Sequence, residues 1–151
     1  MEKLTVKNSI EINADARRVW DVLVDPEYTK QYMFGCEAES DWKNGSPLVW
    51  KMMHEGKEII PVKGIIKEIQ PYRFLTYSVF DPSASYPDIP ENHLNVTYQL
   101  EVESGKTILT VLQDGFELAA EGEKRYQDVY NNGEGWNPIL VQIKEIAERH
   151  D

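Results

Sequence analysis

An α+β fold, a curved antiparallel sheet closed by one long C-terminal helix, is what the order of patterns along this chain predicts. Three observations carry that expectation. A strand-like segment is followed by a short amphipathic segment of helical spacing. A long run of alternating apolar segments comes next, joined by turn sequences. The last apolar stripe, Leu140, Ile143 and Ala147 behind Gly135-Trp136, again has helical spacing. Consecutive strands joined by hairpins pair antiparallel, because parallel neighbours need long crossovers. The closing helix must bury its stripe on the concave face of the sheet. A strongly bent sheet that one helix does not fill leaves a pocket for a small molecule.

Residues 4–12 alternate imperfectly and read as the first strand. Asn13 or Asp15 can cap the helix that follows, on which Val19, Trp20 and Leu23 share a face. Asp25-Pro26 starts a second short helix, since proline at the first helical position forfeits no needed N–H. That helix should run to about Tyr32 and end at Phe34-Gly35. Leu48, Trp50 and Met52 then alternate with Val49, Lys51 and Met53. His54-Glu55-Gly56-Lys57 forms a turn in which Gly56 takes positive φ. The strand over 59–69 is long, and Pro61 near its start lacks a ladder donor, which predicts an edge or a bulge. Residues 74–80 form the next strand, with Leu75, Tyr77 and Val79 on one face.

Residues 81–93 carry Pro82, Pro87 and Pro90 and read as an ordered loop. Val96, Tyr98, Leu100 and Val102 mark the cleanest strand, and Ser104-Gly105-Lys106 turns it into the strand over 107–113, where Leu109 and Val111 share a face. Residues 117–122 read as a linker and 123–130 as a short helix, interrupted at 131–135. The final helix spans about 136–148, with Pro138 tolerable in its first turn.

At 151 residues the chain is most simply one domain over 1–151. Hydrophobic residues make up 41%, enough for a globular core. No segment has the form of a signal peptide, and none approaches the ~20 apolar residues that span a bilayer, so no membrane insertion is expected. Cys36 is the single cysteine, so no internal disulfide forms and a cytoplasmic location fits. A net charge of −10 repels phosphate backbones, so nucleic acid is not an expected partner.

The candidate site follows from the parity of the strands. Trp50 and Met52 share one face, Tyr77, Tyr98 and Gln113 face inward from three further strands, and Trp136 lies where the closing helix meets the sheet. Val111 and Leu140 complete the expected lining. Flat indole faces and a pliable thioether suit an apolar ligand; the same residues are also ordinary core material. A buried hydroxyl or amide needs a partner from protein, water or ligand. Tyr32, Trp42, His54 and Tyr86 are the residues placed at the cavity mouth. His54, His93 and His150 show no metal-ligand spacing and are read as surface histidines, with His54 alone able to reach the cavity as an acid or base. Asp81, Asp88 and Glu91 read as solvated loop charges, and residues 117–125 as either a flap at the entrance or a solvated connector. No phosphate loop, dinucleotide fingerprint or nucleophile elbow is present in the sequence, so no catalytic residue, cofactor or metal is assigned.

Taken in order, Val19-Trp20, Leu23, Asp25-Pro26-Glu27, Val62, Gly64, Tyr72-Arg73-Phe74-Leu75-Thr76-Tyr77, Val96-Thr97-Tyr98-Gln99-Leu100, Gly115-Phe116 and Gly135-Trp136 with Leu140 form a pattern over nearly the whole chain. It resembles the family of homologues of the activator of heat-shock protein 90 ATPase, within the START and birch-pollen-allergen superfamily. Asp81-Pro82 with Asp88-Ile89-Pro90-Glu91-Asn92 is similar to one bacterial branch of that family. The resemblance implies the helix-grip fold: about six or seven antiparallel strands wrapped around a long C-terminal helix, with two short helices after the first strand. It implies a cavity that takes a hydrophobic or amphipathic small molecule, and it transfers no reaction. A co-chaperone-like interaction module, with a chaperone as partner, is the second reading. An enzyme acting on an apolar substrate, a cyclase, hydratase or hydrolase, is the third. The eukaryotic activators carry a further domain ahead of this one, whereas this chain opens on the first strand, which argues against chaperone activation.

Overall fold

The computed structural model describes residues 4–149, so the reading of His150 lies outside the described residues. Seven strands form one antiparallel sheet: β1 (Val6–Ile12), β2 (Glu37–Ser40), β3 (Pro47–His54), β4 (Lys57–Gln70), β5 (Phe74–Val79), β6 (Leu94–Glu103) and β7 (Lys106–Asp114). Their spatial order is β1-β7-β6-β5-β4-β3-β2. Four helices accompany them: α1 (Ala16–Val24), α2 (Pro26–Tyr32), α3 (Gly122–Tyr130) and α4 (Asn137–Glu148). The strand-helix-helix-sheet-helix order matches the expectation.

The local signals act as they should. Asp15 caps α1 by accepting the Arg18 N–H at 2.8 Å, and Asp25 caps α2 by accepting the Glu27 N–H at 2.9 Å. Asn13, the alternative cap, does not serve. The β3–β4 and β6–β7 turns both place two consecutive residues at positive φ, Glu55-Gly56 and Ser104-Gly105, the backbone that a two-residue hairpin loop demands. Buried positions alternate along β6 and β7 as Leu94, Val96, Tyr98 and Leu100, then Thr107, Leu109, Val111 and Gln113.

β2 is an addition that patterning does not reveal. Glu37-Ala38-Glu39-Ser40 offers one small apolar side chain, Ala38, and no β-branched residue. Tertiary context makes it a strand: it pairs along β3, and Ala38 donates its N–H to the buried Thr29 hydroxyl of α2 at 2.9 Å.

Curvature concentrates in β4. Its register against β3 shifts between Trp50 and Met52, opposite Ile60-Pro61, the bulge that Pro61 predicted. A second shift against β5 lies between Ile66 and Glu68. β4 pairs with β3 through its first half and with β5 through its second, which bends the sheet into a trough.

Helix α4 packs on β1, α1 and α2. Leu140, Ile143, Ile146 and Ala147 form its buried face, as the stripe required. Arg18 of α1 donates to the Ile146 and Ala147 carbonyls at 2.9 and 3.2 Å and stacks on Tyr28. The last carbonyls of α4 are thereby partly satisfied, and the helix end is tied to α1. No helix among the described residues is long and apolar enough to cross a membrane.

Candidate functional site

The trough is filled unevenly. Where α4 lies across it the core is solid; toward β3, β4 and β5 it stays open and leaves a cavity of about 370 Å³. Trp50 and Met52 of β3, Pro61 and Val62 of β4, and Tyr77 and Val79 of β5 line one side. Val96 of β6, Gln113 of β7 and Trp136, the residue that caps α4, form the floor and back. Met33, Phe34 and Cys36 close the remaining side from the segment joining α2 to β2. The volume is that of a small-molecule site, and the lining is almost entirely carbon.

A run of aromatic rings organises the wall. Trp50 meets Tyr77 with ring centroids 6.1 Å apart, Tyr77 meets Tyr98 edge-on at 5.5 Å, and Tyr98 meets Trp136 edge-on at 6.1 Å. The Tyr77 and Tyr98 hydroxyls share a hydrogen bond of 2.8 Å, and the Tyr32 hydroxyl donates to the Leu23 carbonyl at 2.7 Å. Burial pushes the Tyr98 phenol up to about 12 and those of Tyr32 and Tyr77 well above their ordinary range, so all three are neutral donors at any physiological pH. Burial also pushes the Cys36 thiol up, which keeps it a thiol rather than a nucleophilic thiolate.

Trp136 is placed by an unusual joint. Its backbone N–H donates to the Asn8 side chain at 3.0 Å, and Gly135 lies so close to Asn8 that a Cβ there would collide with its oxygen. With φ at +53°, Gly135 lets the chain coming from α3 pass against β1 and enter α4 without that side chain. The Trp136 indole N–H then donates to the Gln113 oxygen at 2.8 Å.

The cavity opens onto two shallower clefts. One, about 260 Å³, shares Met33, Phe34, Gln113 and Trp136 with it. The other, about 600 Å³, shares Val62 and Val79 and spreads over Tyr86, Glu121, Lys124 and Arg125. Arg125 lies 4.8 Å over the Tyr86 ring. Phe34 stands at the rim, 76% exposed and at positive φ.

Of the residues expected to line the cavity, Trp50, Met52, Tyr77, Gln113 and Trp136 come together there. Tyr98 lies behind the wall, while Val111 and Leu140 are wholly buried in the core under α4. Of the expected mouth residues, Tyr86 lines the larger cleft. Tyr32 is not at the rim: it is 1% exposed, because its hydroxyl reaches inward to α1. Trp42 packs half-buried against the core from the β2–β3 connection, away from the cavity. His54 sits exposed at the tip of the β3–β4 hairpin, 4.0 Å from Glu55, and does not reach the lining. Val79 and Val96 were legible from strand parity with Tyr77 and Tyr98; Met33, Phe34 and Cys36 lie in a connector that carries no periodic signal.

His93 departs from its expected surface position, whereas Asp88 stays exposed as expected but is paired. On the outer face of the sheet Ser78 Oγ bonds His93 Nδ1 at 3.1 Å, His93 Nε2 bonds Asp88 at 2.6 Å, and Asp88 pairs with Lys63. The order is that of a serine triad, but the chemistry is not available. Ser78 is 1% exposed and its oxygen already accepts the Ile65 N–H at 3.0 Å. Instead the chain clasps the proline-rich loop to β4 and β5, with Phe80 stacked on His93 at 4.9 Å. Hydrogen bonds from Lys63 and then His93 hold the Asp88 carboxyl below its ordinary range. Among the described residues, no group of three or more His, Cys, Asp or Glu side chains converges as a metal site.

A family model described as activator of Hsp90 ATPase homolog 1-like protein matches residues 13–148. A protein from Cytophaga hutchinsonii, solved in solution, is 36% identical over 98% of this chain and 97% of its own, with a TM-score of 0.73. CalU16 from Micromonospora echinospora is 20% identical over 97% and 78%, with a TM-score of 0.68. The Aha1 dimer from Colwellia psychrerythraea is 14% identical over 95% and 96%, with a TM-score of 0.66. The last two likenesses speak to the fold alone, and the fold is the expected helix-grip arrangement. Among curated proteins, none matches the sequence.

Proposed function

This chain belongs to the activator of Hsp90 ATPase homolog 1-like family, and on that premise we propose that it binds a hydrophobic or amphipathic small molecule in the cavity beside Trp50, Tyr77 and Trp136. Ligand-binding and co-chaperone-type domains both go with that membership. The observation that carries the first reading is the partly open, carbon-lined space of about 370 Å³ between the aromatic wall and the α2–β2 connector. Apolar surface moved from water into such a space gains roughly 25 cal/mol per Å². The walls are held by their own hydrogen bonds, so little ordering cost falls on binding. No pair of free acid and base groups converges inside, which is why binding rather than turnover is proposed.

N-phenyl-1-naphthylamine, whose emission rises in apolar surroundings, tests this. A saturable rise is expected with the wild-type protein, and a loss of at least tenfold in affinity with Val62→Trp, which fills the cavity from β4. A linear, non-saturating response, or equal affinity of the two proteins, would sink the proposal.

A further inference from the structure

We infer that Gln113 is the polar anchor of the cavity: its carboxamide NH₂ donates to a neutral carbonyl oxygen of the bound molecule. This rests on the binding reading above and narrows its ligand class. Gln113 is 5% exposed and faces inward from the end of β7. The indole N–H of Trp136 is a donor only, so the amide atom that meets it at 2.8 Å must be the oxygen. That fixes the rotamer and turns the NH₂ group the other way. Its cross-strand neighbours are Val6 on β1 and Val96 on β6, which offer no side-chain acceptor. No protein group among the described residues accepts from Nε2, yet the atom is not sealed off. Among the described residues, the one sealed side-chain polar atom without a partner is Asn95 Oδ1, which lies beside Ser78 on the opposite face of the sheet.

Of the other polar groups on the lining, the Tyr77 hydroxyl is already bonded to Tyr98, while the Trp50 indole and the Cys36 thiol bring one donor each, the thiol a weak one. Gln113 therefore presents two N–H donors on one group, more than any other side chain of a mainly carbon lining, and unmet buried donors favour an occupant that accepts. The chamber lining contains no Lys, Arg or His, so a carboxylate would enter without a counter-charge. A ketone, ester or amide oxygen fits; an anion does not.

The test uses the full chain, ¹⁵N-labelled, titrated with 2-acetylnaphthalene and with 2-ethylnaphthalene, which differ in the carbonyl. The ratio of the two affinities should fall by about tenfold from wild type to Gln113→Leu, and the Gln113 side-chain NH₂ signals should move downfield with the ketone alone. An unchanged ratio, or NH₂ signals that respond alike to both compounds, overturns the anchor while leaving the binding reading intact. Binding of neither compound overturns both. If Gln113→Leu fails to fold, Gln113→Met, closer in shape and likewise without an N–H donor, lets the same ratio decide.

Discussion

At the β1 end of the trough, Leu140, Ile143 and Ile146 of α4 fill the hollow to near-zero exposure; at the β3–β5 end, Trp50, Met52 and Val62 face a chamber of about 370 Å³. Both ends use the same strand alternation and similar side chains. They differ in what crosses above them. Helix α4 starts only at Asn137, after the Gly135 joint, and runs toward β1, α1 and α2. The other end is roofed by an irregular connector, Met33 to Cys36, which supplies fewer atoms. An apolar stripe thus predicts where a helix packs, but its starting point decides how much of the sheet remains uncovered.

The sharpest way to break this contrast is to truncate one residue at each end. Leu140→Ala should cost about 2–5 kcal/mol of stability, since a fully enclosed side chain leaves a cavity behind. It should leave the affinity for N-phenyl-1-naphthylamine within about twofold of wild type, a limit set by the additivity of distant sites. Met52→Ala should cost less than about 1.5 kcal/mol, because Met52 already borders open space, and should weaken the probe instead. Denaturant melts and probe titrations on both variants check this. A stability loss at Met52 equal to that at Leu140 would mean the chamber is packed in solution.

Alkali probes the wall between the two ends. The phenols of Tyr32, Tyr77 and Tyr98 have folded pKa values raised above the unfolded value of about 10. Their stabilisation is complete below that value and drains away as pH rises through the folded values, with Tyr98 at about 12. Ultraviolet titration should therefore show three of the phenols ionising only together with loss of near-UV circular dichroism. Ionisation of every tyrosine near pH 10 with the fold intact would contradict the sealed wall.

The smallest expected effect concerns the loop that borders the larger cleft. Asp88 has a lowered folded pKa, so the clasp to Lys63 and His93 is whole above the ordinary carboxylate range and weakens as pH falls through the lowered value. In Asp88→Asn that acid response should vanish, as read from the His93 ring signals between pH 6 and about 2.5. Global melting should stay almost unchanged, because Asp88 and Lys63 are solvent-exposed and screened. An unaltered His93 profile in the variant would show that the clasp does not form.

Much of this architecture was written locally. Asp15 and Asp25-Pro26 set two helix starts, Pro61 set a bulge, and the inward parity of Tyr77, Tyr98 and Gln113 set which side chains face the trough. These follow from short-range rules of capping, ring geometry and period-two alternation, which act within a few residues. The site was legible only as parity. Tyr77 and Tyr98 carry the same sequence signal, yet one lines the chamber and the other lies behind it; Leu140 and Val111 share that inward signal and are sealed core.

What the sequence by itself determined is the set of inward-facing residues and the order of the elements that carry them. Tertiary structure alone decided that Glu37–Ser40 becomes a strand, that Tyr32 turns inward, that His93 joins Ser78 and Asp88, and that the Gln113 amide gives its oxygen to Trp136. The physical reason is range. Alternation and capping are settled by neighbours in the chain, whereas enclosure and hydrogen-bond direction depend on atoms brought from 23 residues away, as Trp136 is to Gln113, or from 128, as Trp136 is to Asn8.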